Sequence, residues 1–377
     1  MKVLITGDFC AAGRLGVLSE SDPDLIFGDF AALIRSVDLA VVNLESPLCR
    51  PLDPIAKTGP NLCSAPATAD FLARVGFGLV TLANNHILDF GWPGLEETFH
   101  NLEEAGLAYV GAGRSHADAT APYLATVDGR SLAILNFAEN EWSTTRGDSP
   151  GANPIDPVKN HHAIRDARQR ADEVLVICHG GHENHSLPSP RMQELFRFYI
   201  DAGASAVINH HTHCVSGYEI HHGGLIVYSL GNFLFDDPEQ HSGPWTQGIA
   251  VAITFTGRAP SYAIYHFDQC TESSIFASCS PAETAARNSR IDQLNNTIAD
   301  PRLLQESFSR FVELQTRCYQ RYIEPRTFKL LEALQSRGMA PSFLRPAQRR
   351  LLLNLIRCEA HRDLLLEILE RDVGYSR

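Results

Sequence analysis

The stretch Val207-Ile208-Asn209-His210-His211-Thr212-His213-Cys214, followed by Tyr228-Ser229-Leu230-Gly231-Asn232-Phe233, decides how this chain reads. The run from Ala204 to Ile208 has the composition of a buried strand, and three imidazoles within four positions follow it. Imidazoles grouped where a strand leaves a sheet form a pattern of metal ligation. The arrangement recurs upstream. Val3 to Thr6 reads as a strand delivering Gly7-Asp8, and Leu39 to Asn43 as one delivering Glu45. Gly78 to Leu82 opens onto Asn84-Asn85-His86, and Val174 to Ile177 ends in Cys178-His179-Gly180-Gly181-His182-Glu183.

Between these strands the apolar spacing turns helical, over residues 27–37, 67–75, 93–104, 157–170 and 190–202. Alternating strands and helices predict an α/β fold with ligands just beyond the carboxyl ends of its strands. Asp128-Gly129 signals a hairpin turn, and residues 138–156 read as a long surface loop. Two later strand pairs, 215–220 with 225–229 and 248–256 with 261–267, complete this part. Beyond Pro281 the strand signal ceases. Leu294 to Tyr322, Pro325 to Ser336 and Pro346 to Leu369 carry large apolar residues at helical spacing. The chain therefore divides into residues 1–281 and a helical extension over 282–377.

At 377 residues, 44% hydrophobic and 20% charged, the chain has enough apolar material for a sizeable core. Residues 282–377 hold 16 Lys+Arg against 12 Asp+Glu, whereas residues 1–281 hold 16 against 32. An acidic body suits divalent cations and disfavours a nucleic-acid partner. The nine cysteines are scattered, without the paired spacing of a zinc ribbon or disulfide framework, and are expected to be reduced. No apolar run reaches membrane-spanning length, and Met1 to Asp8 enters a strand without a leader, so a cytoplasmic location is expected. No feature specifies an oligomeric state.

Asp8, Glu45, Asn85, His179, His211 and His213 together offer two carboxylates, an amide oxygen and three imidazoles. A donor set of this intermediate hardness fits Mn, Fe or Zn and suffices for two divalent ions sharing a carboxylate. Glu183 is expected to orient His179 or meet substrate, and His182 is a candidate base. Lys57 and Arg146 are candidate contacts for an anionic substrate. Cys10 is either a thiolate ligand or a small buried hydrophobe. His161-His162 and His221-His222 read as surface pairs.

Gly7-Asp8, Asn43-Leu44-Glu45-Ser46-Pro47-Leu48, Leu82-Ala83-Asn84-Asn85-His86 with Asp89-Phe90-Gly91, Gly111-Ala112-Gly113, His179 with Glu183, His210-His211-Thr212-His213 and Tyr228 to Phe233 resemble, in order, the motifs of the CapA family. This is the poly-γ-glutamate capsule synthesis branch of the calcineurin-like metallophosphoesterases. The resemblance spans about residues 1–268. It implies a four-layer α/β/β/α sandwich with two metals at the strand ends between the sheets. It further implies Asp8 and His213 on one ion, Glu45 as the bridge, Asn85, His179 and His211 on the other, and His86 as general acid. Two positions depart from the superfamily pattern: Cys10 stands where a histidine is usual, and Glu45 where an aspartate is.

The resemblance implies a metal-dependent hydrolase of phosphoester or amide bonds, acting on an anionic polymer or a peptide in capsule or natural-product biosynthesis. The same ions acting as Lewis acids on a peptide carbonyl would instead support a non-hydrolytic Cα epimerase. A third possibility is a non-catalytic metal-binding subunit of a polymer-synthesising assembly; the complete ligand set weighs against it.

Overall fold

A computed structural model describes residues 1–50, 53–256, 259–323, 339 and 344–372. The strands are β1 (Lys2–Cys10), β2 (Leu39–Leu44), β3 (Leu79–Thr81), β4 (Ala108–Val110), β5 (Ala112–Gly113), β6 (Tyr123–Val127), β7 (Arg130–Ala138), β8 (Gly151–Ala152), β9 (Glu173–His179), β10 (Ala206–His210), β11 (Tyr218–His221), β12 (Gly224–Val227), β13 (Asn232–Phe235), β14 (Gln247–Thr254), β15 (Ser261–Gln269) and β16 (Phe276–Ser278). Among the described residues one sheet has the order β16-β15-β14-β1-β2-β3-β4, with β13 also beside β1. The other has the order β11-β12-β10-β9-β7-β6.

The central strands are apolar on both faces because both faces are covered. In β1, Val3 and Ile5 point to a core shared with Leu175, Ile177 and Ile208 of the second sheet. Leu4, between them, points outward to a cluster containing Phe30, Phe71 and Leu95 from the helices over the first sheet. On the far side Val174, Val176 and Val207 pack against Phe196, Tyr199 and Ile164 of helices Pro157–Arg170 and Pro190–Asp201. Alternation along each strand thus builds the four layers, α/β/β/α.

Sequence periodicity missed several local breaks. The helix expected over 27–37 forms as Asp29–Arg35, and Gly28 at φ 51° turns the chain between it and a short preceding helix, Pro23–Phe27. The Asp128-Gly129 turn is present, with both residues at positive φ. β13, which begins within the Tyr228 to Phe233 motif, is a strand that the apolar spacing does not predict, and it pairs parallel with β1.

From Pro281 onward the described elements are helices: Pro281–Ala299, Pro301–Ile323, Pro346–Arg357 and Glu359–Asp372. Ser280 caps the first through a reciprocal capping box with Glu283. The expected 294–322 helix is interrupted at Asp300, and that over 346–369 at Cys358. The segment Pro325 to Ser336 lies outside the described residues. Phe308, Val312, Leu355, Leu364 and Ile368 form this region's own core. It docks through polar anchors: Arg191 Nε donates to both carboxylate oxygens of Asp363 at 2.8 and 2.7 Å, and Asn140 donates to Glu359 from its backbone N at 2.9 Å and its Nδ2 at 2.8 Å. No helix among the described residues is long and apolar enough to cross a membrane.

Candidate metal centre

Asp8 sits where the ladder of β1 is irregular: the register shifts between Ile5 and Asp8 against β2, and between Asp8 and Phe9 against β13. Such a break re-aims a side chain out of the pleat. Its register partners, Asn43 and Asn232, become part of the site. Asn43 Nδ2 donates to Asp8 Oδ1 at 2.7 Å, and Asn232 Oδ1 stands 2.8 Å from His213 Nδ1. In the second sheet, His210 of β10 pairs with His179 of β9, so the loop after β10 places His211 beside His179, Nδ1 to Nε2 at 3.1 Å. The His211 backbone amide donates to Asp8 Oδ2 at 3.0 Å, joining the two sheets at the site. His211 and His213 hold φ of 88° and 55°. A non-glycine residue there stores of order 1–3 kcal/mol of strain, which surrounding contacts must offset.

The donor atoms fall into two groups, each within 4.8 Å: Asp8, Glu45 and His213, and Glu45, His179 and His211. Glu45 is common to both. Asn85 Oδ1 adds to the second group, 3.0 Å from His179 Nε2. Both carboxylate oxygens of Glu45 are buried without a hydrogen-bond partner, with His179 Nε2 at 3.4 Å and His213 Nε2 at 3.7 Å. An unsatisfied buried carboxylate costs several kcal/mol, and cations on either side would offset that cost. Burial, reinforced by His211, holds the His179 pKa well below its ordinary value, leaving the neutral imidazole that metal ligation requires. At His213 burial acts in the same direction, but Glu45 and Asp8 together outweigh it and raise the pKa. Both groups have the donor chemistry to hold a divalent metal, and Glu45 belongs to each.

His86 borders the same cavity. Its Nδ1 lies 2.7 Å from Asp89 Oδ2 and 3.1 Å from Lys57 Nζ, while Lys57 and Asp89 form a buried ion pair. Lys57 is therefore bound within the site and is not a free surface cation. Asp89 also accepts from the Leu62 amide at 2.7 Å, which ties the Lys57 loop to the turn carrying His86.

The other expected residues are placed differently. His182 is buried, its Nε2 3.0 Å from the Ala360 carbonyl and its ring beside Phe308 and Phe311. Burial, with His185 adding to it, pushes its pKa down to about 3. Glu183 lies at the cavity margin with its side chain exposed. Arg146 lines a separate groove with Trp142 and Arg357. Cys10 belongs to neither donor group; it packs with Phe235 and Trp245, and burial raises its thiol pKa to about 12. His221 and His222 share exposed Asp201, and His161 stacks on Phe198. Sequence reading missed Glu141, whose Oε1 stands 4.0 Å from His211 Nε2, and the C-terminal residues that face the site. The position of Glu141 in the 138–156 loop was the available signal for it.

The family description "Bacterial capsule synthesis protein PGA_cap" fits residues 2–237. "Capsule biosynthesis protein CapA" of Bacillus anthracis is 31% identical over 229 residues, covering 58% of this chain and 56% of that protein. "PGA biosynthesis protein CapA" of Bacillus subtilis is 31% identical over 224 residues, covering 58% and 59%. The chain thus spans less than two thirds of the length of these relatives. Among solved structures, a phosphatase of Mycoplasma pneumoniae aligns at 14% identity and a TM-score of 0.42, covering 74% of this chain and 91% of that one.

Proposed function

The chain belongs to the PGA_cap family of bacterial capsule synthesis proteins, and we propose that it is a metal-dependent hydrolase of phosphoester or amide bonds in an anionic polymer or peptide. The observation that carries this reading is Glu45: a buried carboxylate with no hydrogen bond on either oxygen, shared by two sets of donors. Asp8 and His213 would hold one ion and Asn85, His179 and His211 the other, with Mn, Fe or Zn the suitable metals. When bound, the ions supply Lewis acidity and an activated water.

This chain's own residues do the rest. Asn43 and the His211 amide fix the two oxygens of Asp8, so its carboxylate is oriented before any ligand arrives. Asp89 commits Nδ1 of His86, leaving Nε2 as the ring nitrogen able to hold a proton for a leaving group. Lys57 balances the Asp89 charge and adds positive potential on the cavity side where an anion would lie. The test is release of phosphate or amine from capsule-type polymers and peptides by Mn-loaded protein, with chelator and Glu45→Gln as controls. Turnover that survives both controls would overturn the reading. Cα deuterium uptake from heavy water without bond cleavage would replace hydrolysis by epimerisation.

A further inference from the structure

The cavity over the metal centre has a volume of about 470 Å³, within the range of small-molecule sites. Its floor is polar, with Asn85, His86 and His211 exposed to it. Its opposite wall comes from the C-terminal helices, where Phe311, Leu351, Leu355 and Leu364 face the same space. These four lie outside residues 2–237, the span fitted by the family description. We infer that the C-terminal helices form the specificity wall of the enzyme, and that its substrate joins an anionic, metal-binding head to a large apolar group seated against Phe311 and Leu351.

Polar contacts fix the wall to the body. Arg191 grips Asp363 next to Leu364, Asn140 grips Glu359, and Arg357 Nε donates to the Asn140 carbonyl at 3.1 Å. Phe311 is buttressed by His185, ring centroids 4.1 Å apart and nearly parallel. An apolar group placed there leaves water for a surface already shaped, and this favours binding in proportion to the area covered. Gln315, Asn354 and His361 line the same side, so the apolar group belongs at Phe311 and Leu351 and not across the whole wall. The substrate class is therefore an acyl, aryl or aromatic-side-chain compound carrying a phosphate or carboxylate head.

The inference rests on the metal-centre reading, and the experiment separates the two. Binding of methylphosphonate and of 3-phenylpropylphosphonate to Mn-loaded full-length protein is measured by calorimetry, so that turnover is not needed. The expected result is that the phenylpropyl compound binds at least about tenfold tighter. Leu351→Trp, which fills the space, should bring the two affinities to within about twofold. Phe311→Leu, a milder change on the adjoining helix, should reduce the preference without abolishing it. Equal binding of both compounds by the wild type, or a preference indifferent to both substitutions, overturns the inference and leaves the metal centre standing. Failure of both compounds to bind overturns the anion-binding reading and the inference together.

Discussion

Gly7 and Gly231 pack backbone to backbone, so closely that a Cβ on Gly7 would fall well inside contact distance of the Gly231 carbonyl oxygen. This approach sets the register on which Asp8 and Asn232 meet across β1 and β13. Gly7→Ala is expected to destabilise the protein by roughly 2–4 kcal/mol and to lower metal occupancy although every ligand is retained. Denaturant unfolding and elemental analysis check it; wild-type values in both would show that the contact is dispensable.

Replacing Glu45 by Gln removes the buried charge that the ions would neutralise. Bound metal should fall below one ion per chain, and the metal-free protein should gain at least about 1 kcal/mol of stability. Comparing melting in chelator with melting in Mn resolves the two effects. Retention of two ions would contradict the bridging role.

His86→Ala should keep both ions and lower hydrolysis by about two to four orders of magnitude, the usual worth of acid–base catalysis. Lys57→Met should act differently. It strands Asp89 in the interior at a cost of about 3–5 kcal/mol, so stability should fall along with activity. A stable, inactive Lys57→Met protein would mean that Lys57 touches substrate and that its pairing contributes little.

Arg191 bridges two elements that are distant in sequence, donating to Glu139 at 2.7 Å as well as to Asp363. Burial lifts Glu139 to about 7 even with this partner present. Arg191→Met leaves both carboxylates without their cation, and an expected loss of about 3–5 kcal/mol should appear first as faster hydrogen exchange in helix Glu359–Asp372. Unchanged exchange there would show that the apolar contacts suffice.

The docking of the C-terminal helices should also depend on pH. His182, lowered by burial to about 3, stays neutral in the folded protein while its unfolded counterpart takes up a proton near pH 6.5. The unfolded state therefore binds more protons between these values. Stability is fully present above pH 6.5 and declines by up to about 1.4 kcal/mol per pH unit below it. His182→Asn should flatten this slope by about one proton. Stability profiles of the two proteins with equal slopes between pH 4 and 6 would remove His182 from the account.

The strand ends were legible in the sequence because a strand buried on both faces is a continuous apolar run, and a polar residue just after it stands out. Asp8, Glu45, His179 and His211 stand out in this way, and the fold gathers them into the two donor groups. Local patterning says nothing about what meets across the two sheets. Nothing local to Asn43 or Asn232 announces their contacts with Asp8 and His213, and the pairing of Lys57 with Asp89 depends on a loop whose path no periodicity reports. The approach of Glu359 to Asn140 across 219 positions is set by packing of the whole molecule. Cys10 was ambiguous from sequence; in the structure its neighbours Phe235 and Trp245 make it a packing residue.

All the donors lie between Asp8 and His213, and the helices that wall the cavity follow Pro281. A ribosome therefore completes the ligand set well before it makes the wall. At typical synthesis rates of about 5–20 residues per second, the stretch from Pro281 to Arg377 takes roughly 5–20 s to make. An ion taken up by these donors during that time would not have to pass the residues proposed here to select the substrate. Demetallation of the finished protein has to run the opposite way, outward past a seated wall, so release of the ions should be slower than their capture by the growing chain.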